Sequence, residues 1–228
     1  MPYEWLLFDA DDTLFEFAPA EQSALIASFA EFDLPLDAKV FDIFHEVNLR
    51  LWKLFELGQI DIPTLGVQRF ADLFARLNVN VEAEAFSKRY LYHLGQSTVE
   101  IPYANELLSA LQGRFKLAVI TNGISSVQRS RFTLSRLGKY FEQLFISEEI
   151  GFSKPAAGYF DHVFAALGRP PKEKVLVIGD SLSSDMPGGI RYGLDTCWFN
   201  VRGKTKPEDL PITYEIKDLR ELIDIVKA

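Results

Sequence analysis

Three carboxylates crowd into four positions of this sequence, Asp9, Asp11 and Asp12, directly behind the apolar run "LLF". Further along stand Thr121 and Asn122, a lysine before a proline (Lys154), and the pair Asp180 and Asp185 in "GDSLSSD". Acids this close repel one another and raise one another's pKa, so folding alone would not select them. A hard divalent cation makes them tolerable, and Mg²⁺ is the expected one because every candidate ligand is an oxygen and no His or Cys stands nearby. The three histidines, His45, His93 and His162, fall in helical patterns and read as ordinary helix-face residues.

These residues need a scaffold that gathers distant segments. Short runs that are apolar throughout, "EWLLFDAD", "KLAVITNG", "QLFISEEIG", "KVLVIGDS" and "TCWFNV", read as buried parallel strands because they do not alternate. Helical patterns lie between them, "SVQRSRFTLSRLG", "AAGYFDHVFAALG" and "DMPGGIRYGL", with Gly138, Gly168 and Gly193 where helix C-termini are expected. The fold class is therefore α/β: a doubly wound, mostly parallel sheet with a Rossmann-like core. Residues 17–96 break the rhythm with four helical patterns, so we expect an all-helical insertion there, with 1–16 and 97–228 forming the core. The end, "IKDLRELIDIVKA", reads as a final amphipathic helix, and "VRGKTKPEDLP" as an exposed polar loop. Ligands of such sheets bind beyond the carboxyl ends of the strands, and the chemistry-bearing residues all follow strand runs.

The motifs "DADDT", "TN", "KP" and "GDSLSSD", in this order, resemble the four motifs of the haloacid dehalogenase-like hydrolases, and the likeness runs the length of the chain. "FDADDTLF", "VNLRLW", "FELGQI", "QRF" and "SEEIGFSKP" are similar to the pyrimidine 5′-nucleotidase branch, whose helical cap is inserted after the first motif. The resemblance implies a Mg²⁺-dependent phosphatase. Asp9 would attack phosphorus and Asp11 would serve as acid and then base. Asp9, Asp11 (through its main-chain carbonyl) and Asp180 would hold the metal. Thr121, Asn122 and Lys154 would bind the phosphoryl group, and Asp185 would orient a metal-bound water or Lys154. Asp12 departs from the glycine common in the superfamily, and the reading we favour is that its side chain caps a turn or helix.

Composition narrows the partners. A net charge of −8 argues against a nucleic-acid polymer or an anionic membrane surface, but not against a small anionic substrate held by a metal. The single cysteine, Cys197, sits in an apolar, β-prone setting and reads as a buried, inert thiol. No signal peptide and no membrane-spanning run is found, so a cytoplasmic enzyme is expected. The substrate expected is a small phosphate monoester, foremost a pyrimidine nucleoside monophosphate, with phosphoglycolate or a sugar phosphate as the alternative. A 2-haloacid dehalogenase would need no acid at Asp11. A phospho-receiver module would have no inserted cap, and a phosphomutase is the weaker rival among phosphoryl-transfer enzymes. In the insertion, Trp52, Phe55, Phe70 and Phe74 are expected mainly to pack the bundle, leaving a few aromatics to stack on a base.

Overall fold

The computed structural model describes residues 3–227. They divide into two compact units: residues 3–17, 99–125 and 132–227 in one, and 18–98 with 126–131 in the other. The segment 126–131, which the sequence places with the sheet, thus groups with the helical unit.

The helical unit is built from α1 (Phe17–Glu31), α2 (Ala38–Glu56), α3 (Ile62–Leu77) and α4 (Ala83–Gln96). Asp37 and Asp61 start α2 and α3 by accepting the N–H groups of Val40 and Thr64, three residues on, at 3.1 and 2.9 Å. The apolar stripes of the four helices meet in an aromatic core. Phe70 packs against Phe44, Phe74, Phe86 and Tyr90, with ring centroids 4.8–6.2 Å apart. Phe70 and Phe74 are buried in that core and have no face to offer a ligand; Trp52 and Phe55, in mutual edge contact, are half-buried.

The other unit carries six parallel strands: β1 (Trp5–Phe8), β2 (Lys116–Thr121), β3 (Gln143–Ile146), β4 (Val175–Gly179), β5 (Asp195–Phe199) and β6 (Tyr214–Ile216). Their spatial order is β3-β2-β1-β4-β5-β6. Both faces of the sheet are buried. Leu6, Phe8, Val119, Ile178 and Cys197 face one layer, and Trp5, Leu7, Ile120, Val177 and Trp198 face the other. That is why the strands read as unbroken apolar runs. Burial also pushes the Cys197 thiol well up, in keeping with an inert core residue.

The helices of this unit include α5 (Ala104–Leu111), α7 (Ser147–Ile150), α8 (Ala157–Ala166), α9 (Asp185–Tyr192) and α10 (Leu222–Lys227), while α6 (Ser125–Leu134) is divided, its residues 126–131 grouping with the helical unit. The structure differs from the sequence reading in several places: the run "QLFISEEIG", read as a strand, is one only to Ile146, and Ser147–Ile150 form α7. The helix α5 and the strand β6 are additional. The final helix is shorter than expected, because Ile216 closes β6 and Asp218 starts a new helical turn with a capping box to Glu221. Gly138 does not end a helix but opens a 3₁₀ turn; a Cβ there would lie 1.9 Å from the Phe132 carbonyl oxygen, so the close approach demands glycine. Where the chain leaves this unit and returns, it pairs with itself: Glu16 N–H donates to Val99 and Ile101 N–H to Leu14, both at 2.9 Å. No described helix is long and apolar enough to cross a membrane.

Candidate active site

The order of strands places β1 beside β4 at the point where the chain's winding reverses, the place where such sheets open a crevice. Phe8 and Ile178 are in register there, and the next residues are Asp9 after β1 and, past Gly179, Asp180 after β4. Asp9 continues the ladder by donating its N–H to Ile178 at 2.8 Å. The geometry of the strand ends therefore concentrates acids that are 171 positions apart in the chain, from Asp9 to Asp180.

Lys154 enters this cluster from the irregular segment before α8. It is 1% exposed, and its ammonium donates to Asp9 Oδ1 at 2.7 Å, Asp185 Oδ1 at 2.6 Å and the Ile120 carbonyl at 2.7 Å. Each of its three N–H bonds thus has an acceptor, which is the full capacity of an ammonium. Burial pulls the Lys154 ammonium down toward the neutral form, but Asp185 and Asp9 more than reverse this, and the group is raised above an ordinary lysine. Asp185, fully buried at the start of α9, also accepts the Ser181 N–H through Oδ2 at 3.1 Å. Its carboxylate presses on Gly179, where a Cβ would meet an Asp185 oxygen at 2.3 Å; only glycine lets it so close.

Asp9 is pushed well up by burial and by Asp185, with Lys154 pulling the other way. Asp180 is pushed up to about 7 by burial first, then by Asp185 and Asp12, while Lys204 and Lys154 moderate it. Asp9, Asp180 and Asp185 each bring an oxygen within 4.8 Å of the others. Three clustered carboxylates, with Asp9 and Asp180 pushed up, fit a hard divalent ion: it would replace the protons of those two and remove the repulsion. The Asp180 main chain is fixed from behind by the Trp198 indole, whose N–H donates to its carbonyl at 3.0 Å.

The remaining expected site residues fall as follows. Asp11 lies two residues beyond Asp9, half-buried, in a bridge with Phe15. Thr121 ends β2 and is 1% exposed; its hydroxyl accepts the Gly123 N–H at 3.0 Å, which leaves its own proton to donate. Asn122 follows β2 directly. Its carboxamide is engaged with the main chain of Lys154, Nδ2 donating to the carbonyl at 2.8 Å and Oδ1 accepting the N–H at 2.9 Å. Asp12 caps the entry to α1: its Oδ1 accepts the Phe17 N–H at 3.1 Å, and its Oδ2 takes Arg202 at 2.7 Å. With φ of 57° it sits in the left-handed region, which glycine enters without strain and a short Asp can also adopt.

Two participants escaped the sequence reading, Arg202 beside Asp12 and Lys204 near Asp180. Both lie in the loop read simply as polar and exposed, and no local pattern marks which loop cation folds back onto an acid. The three histidines lie on α2, α4 and α8, and none belongs to the carboxylate–lysine cluster. His93 instead meets Glu31 at 2.8 Å.

Residues 3–193 match the haloacid dehalogenase-like hydrolase family. Over 97% of its length the chain is 35% identical to the pyrimidine 5′-nucleotidase YjjG of Escherichia coli, covering 97% of that protein. It is also 35% identical to the pyrimidine 5′-nucleotidase PynA of Streptococcus pneumoniae, over 98% of this chain and 95% of that one. Among solved structures, the HAD-hydrolase YfnB from Bacillus subtilis bound to magnesium superposes with a TM-score of 0.93 at 36% identity, covering both chains completely.

Proposed function

Since the chain belongs to the haloacid dehalogenase-like hydrolases, we propose that it is a Mg²⁺-dependent phosphatase of small phosphate monoesters, with pyrimidine nucleoside monophosphates as preferred substrates. The observation that carries the phosphatase reading is the buried Lys154 bound to Asp9 and Asp185 beside Asp180.

Asp9 is the nucleophile. Lys154 holds its Oδ1, which leaves Oδ2 as the oxygen to attack phosphorus. Attack forms the Asp9 O–P bond and breaks the bond from phosphorus to the ester oxygen. Asp11 gives its proton to the departing alkoxide, then takes one from the water that attacks phosphorus and releases Asp9 with inorganic phosphate. The Thr121 hydroxyl donates to a phosphoryl oxygen, and the Lys154 charge stabilises the anionic centre. Asp9, the Asp11 main-chain carbonyl and Asp180 would hold Mg²⁺, which when bound supplies positive charge against the phosphoryl oxygens. Asp185 positions Lys154 from behind.

The pyrimidine preference draws on the two nucleotidase relatives at 35% identity. Asp11 argues against the dehalogenase alternative, whose chemistry has no leaving alcohol to protonate. A phosphate-release assay with Mg²⁺ tests the whole reading: kcat/KM for UMP and dTMP should exceed that for AMP, phosphoglycolate and glucose phosphates. A preference for phosphoglycolate or a hexose phosphate would overturn the nucleotidase assignment alone. Full turnover in the presence of a chelator would overturn the mechanism.

A further inference from the structure

Asn122 stands immediately after β2, where the resemblance implies a phosphate ligand, yet its carboxamide is matched atom for atom to the peptide group of another residue. Nδ2 donates to the Lys154 carbonyl at 2.8 Å, and Oδ1 accepts the Lys154 N–H at 2.9 Å. A strand would pair in this way with its neighbour, but the segment holding Lys154 is not a strand. The asparagine side chain thus supplies the missing rung. The lysine is caught a second time, since its ammonium donates to the carbonyl of Ile120, two residues before Asn122 on the same strand end. Main chain and side-chain tip of Lys154 are therefore both referenced to the end of β2.

The same device occurs once more. Asn200 follows β5 as Asn122 follows β2, and it grips the main chain of Lys204 with the same two bonds, both 2.8 Å. There the lysine side chain is exposed, so gripping its main chain does not fix its tip. At Lys154 the side chain is enclosed, and fixing the main chain fixes where the ammonium can stand.

We propose that Asn122 is a positioning residue of the reaction: it holds the Lys154 main chain so that the ammonium stands between Asp9 and Asp185, and it does not bind substrate. Loss of the carboxamide leaves the N–H and carbonyl of a buried residue unmatched and frees the start of the lysine stem. The ammonium is useful only at hydrogen-bond distance from both acids, and displacements of about 1 Å in such assemblies cost on the order of 100-fold in rate.

The inference rests on the phosphatase reading for its kinetic arm. In Asn122→Ala, kcat for UMP should fall about 10–100-fold with KM nearly unchanged, the range typical of partners that orient a catalytic group. Asn122→Asp, which keeps the acceptor for the Lys154 N–H and loses the donor, should show the same split if the alanine variant folds poorly. A second readout needs no turnover. Acetylation by acetic anhydride, followed by mass spectrometry of the folded protein, should spare Lys154 in the wild type and in Asn200→Ala, and modify it in Asn122→Ala. A raised KM with unchanged kcat would overturn the proposal in favour of direct substrate binding. Unchanged kcat, or continued protection of Lys154 in Asn122→Ala, would overturn it too. Should the wild type hydrolyse no phosphate ester, the phosphatase reading fails, and the labelling result still decides whether Asn122 holds Lys154.

Discussion

Among the buried cations, Lys154 of the sheet unit and Arg69 of the helical unit are handled in opposite ways. Lys154 in the sheet unit has three oxygen acceptors within 2.7 Å, two of them carboxylates. Arg69 on α3 of the helical unit is also 1% exposed, but its one hydrogen bond is a long 3.4 Å from Nη1 to Asn48 Oδ1. Its guanidinium lies against the rings of Tyr90 and Phe70, 4.8 and 5.3 Å from their centroids, and Nε and Nη2 find no partner among the described residues. An acid acts at second hand, Glu21 accepting from Asn48 Nδ2 at 2.7 Å. Burial pulls both cations toward the neutral form; it wins at Arg69, which is lowered, and loses at Lys154, which is raised. Burial by itself therefore does not set the fate of a charge; directly bound opposite charge does, and Asp9 and Asp185 supply it to Lys154.

The largest effects are expected when each cation is replaced with methionine. Lys154→Met leaves Asp9 and Asp185 without their counter-charge, so turnover should vanish and stability should fall by about 3–5 kcal/mol. Arg69→Met removes a poorly matched charge from an aromatic core and should leave stability within about 2 kcal/mol of the wild type, the lost cation–π contacts offsetting the relief of desolvation. Urea unfolding at neutral pH measures both, and equal losses would refute the contrast.

Asp11→Asn spares the Lys154 pairing and removes only a proton carrier. Phosphate release should drop about 10²–10⁴-fold while the unfolding curve stays close to the wild type. A marked loss of stability would mean that Asp11 belongs to the charge pairing as well.

The pairing is also legible in pH. Asp180 holds its proton up to about 7 in the metal-free fold, against an ordinary carboxylate near 4 when unfolded. The folded state therefore binds more protons in that window, and metal-free stability should decline as pH rises through it. A metal ion must displace the same proton, so Mg²⁺ affinity should weaken by up to about tenfold per unit as pH falls below 7. Calorimetric titration at pH 5.5, 6.5 and 7.5 checks this (values chosen to be about one unit apart across the transition). A flat affinity would place the proton elsewhere.

The smallest effect is expected at Asp12, whose cation is an exposed one. Asp12→Gly loses the cap on Phe17 and the Arg202 pair, but glycine accepts the left-handed backbone without strain. A stability loss of about 0.5–2 kcal/mol in thermal melts, with the chemistry intact, is the expected result. Loss of turnover comparable to that of Asp11→Asn would give Asp12 a part in the reaction.

Much of this organisation could be read from the residues before any fold was seen. Apolar runs such as "WLLF" and "VLVIG" mark buried strands because both faces of a parallel sheet exclude water, and the periodic stripes of α2 and α3 mark helices because 3.6 residues make a turn. Once strand ends are known, Asp9, Asp11, Thr121 and Asp180 follow as residues of one edge, since parallel strands all end on the same side. Tertiary structure decided what local pattern cannot carry. The three residues of β6 hold no periodic signal, and their strand state comes from the edge of β5. The target of Asn122 is a peptide group 32 residues away, and the partner of Asp12 lies 190 residues away. Which oxygen a side chain meets depends on where a distant segment comes to rest, and a lysine that is solvated in one loop is enclosed by acids in another.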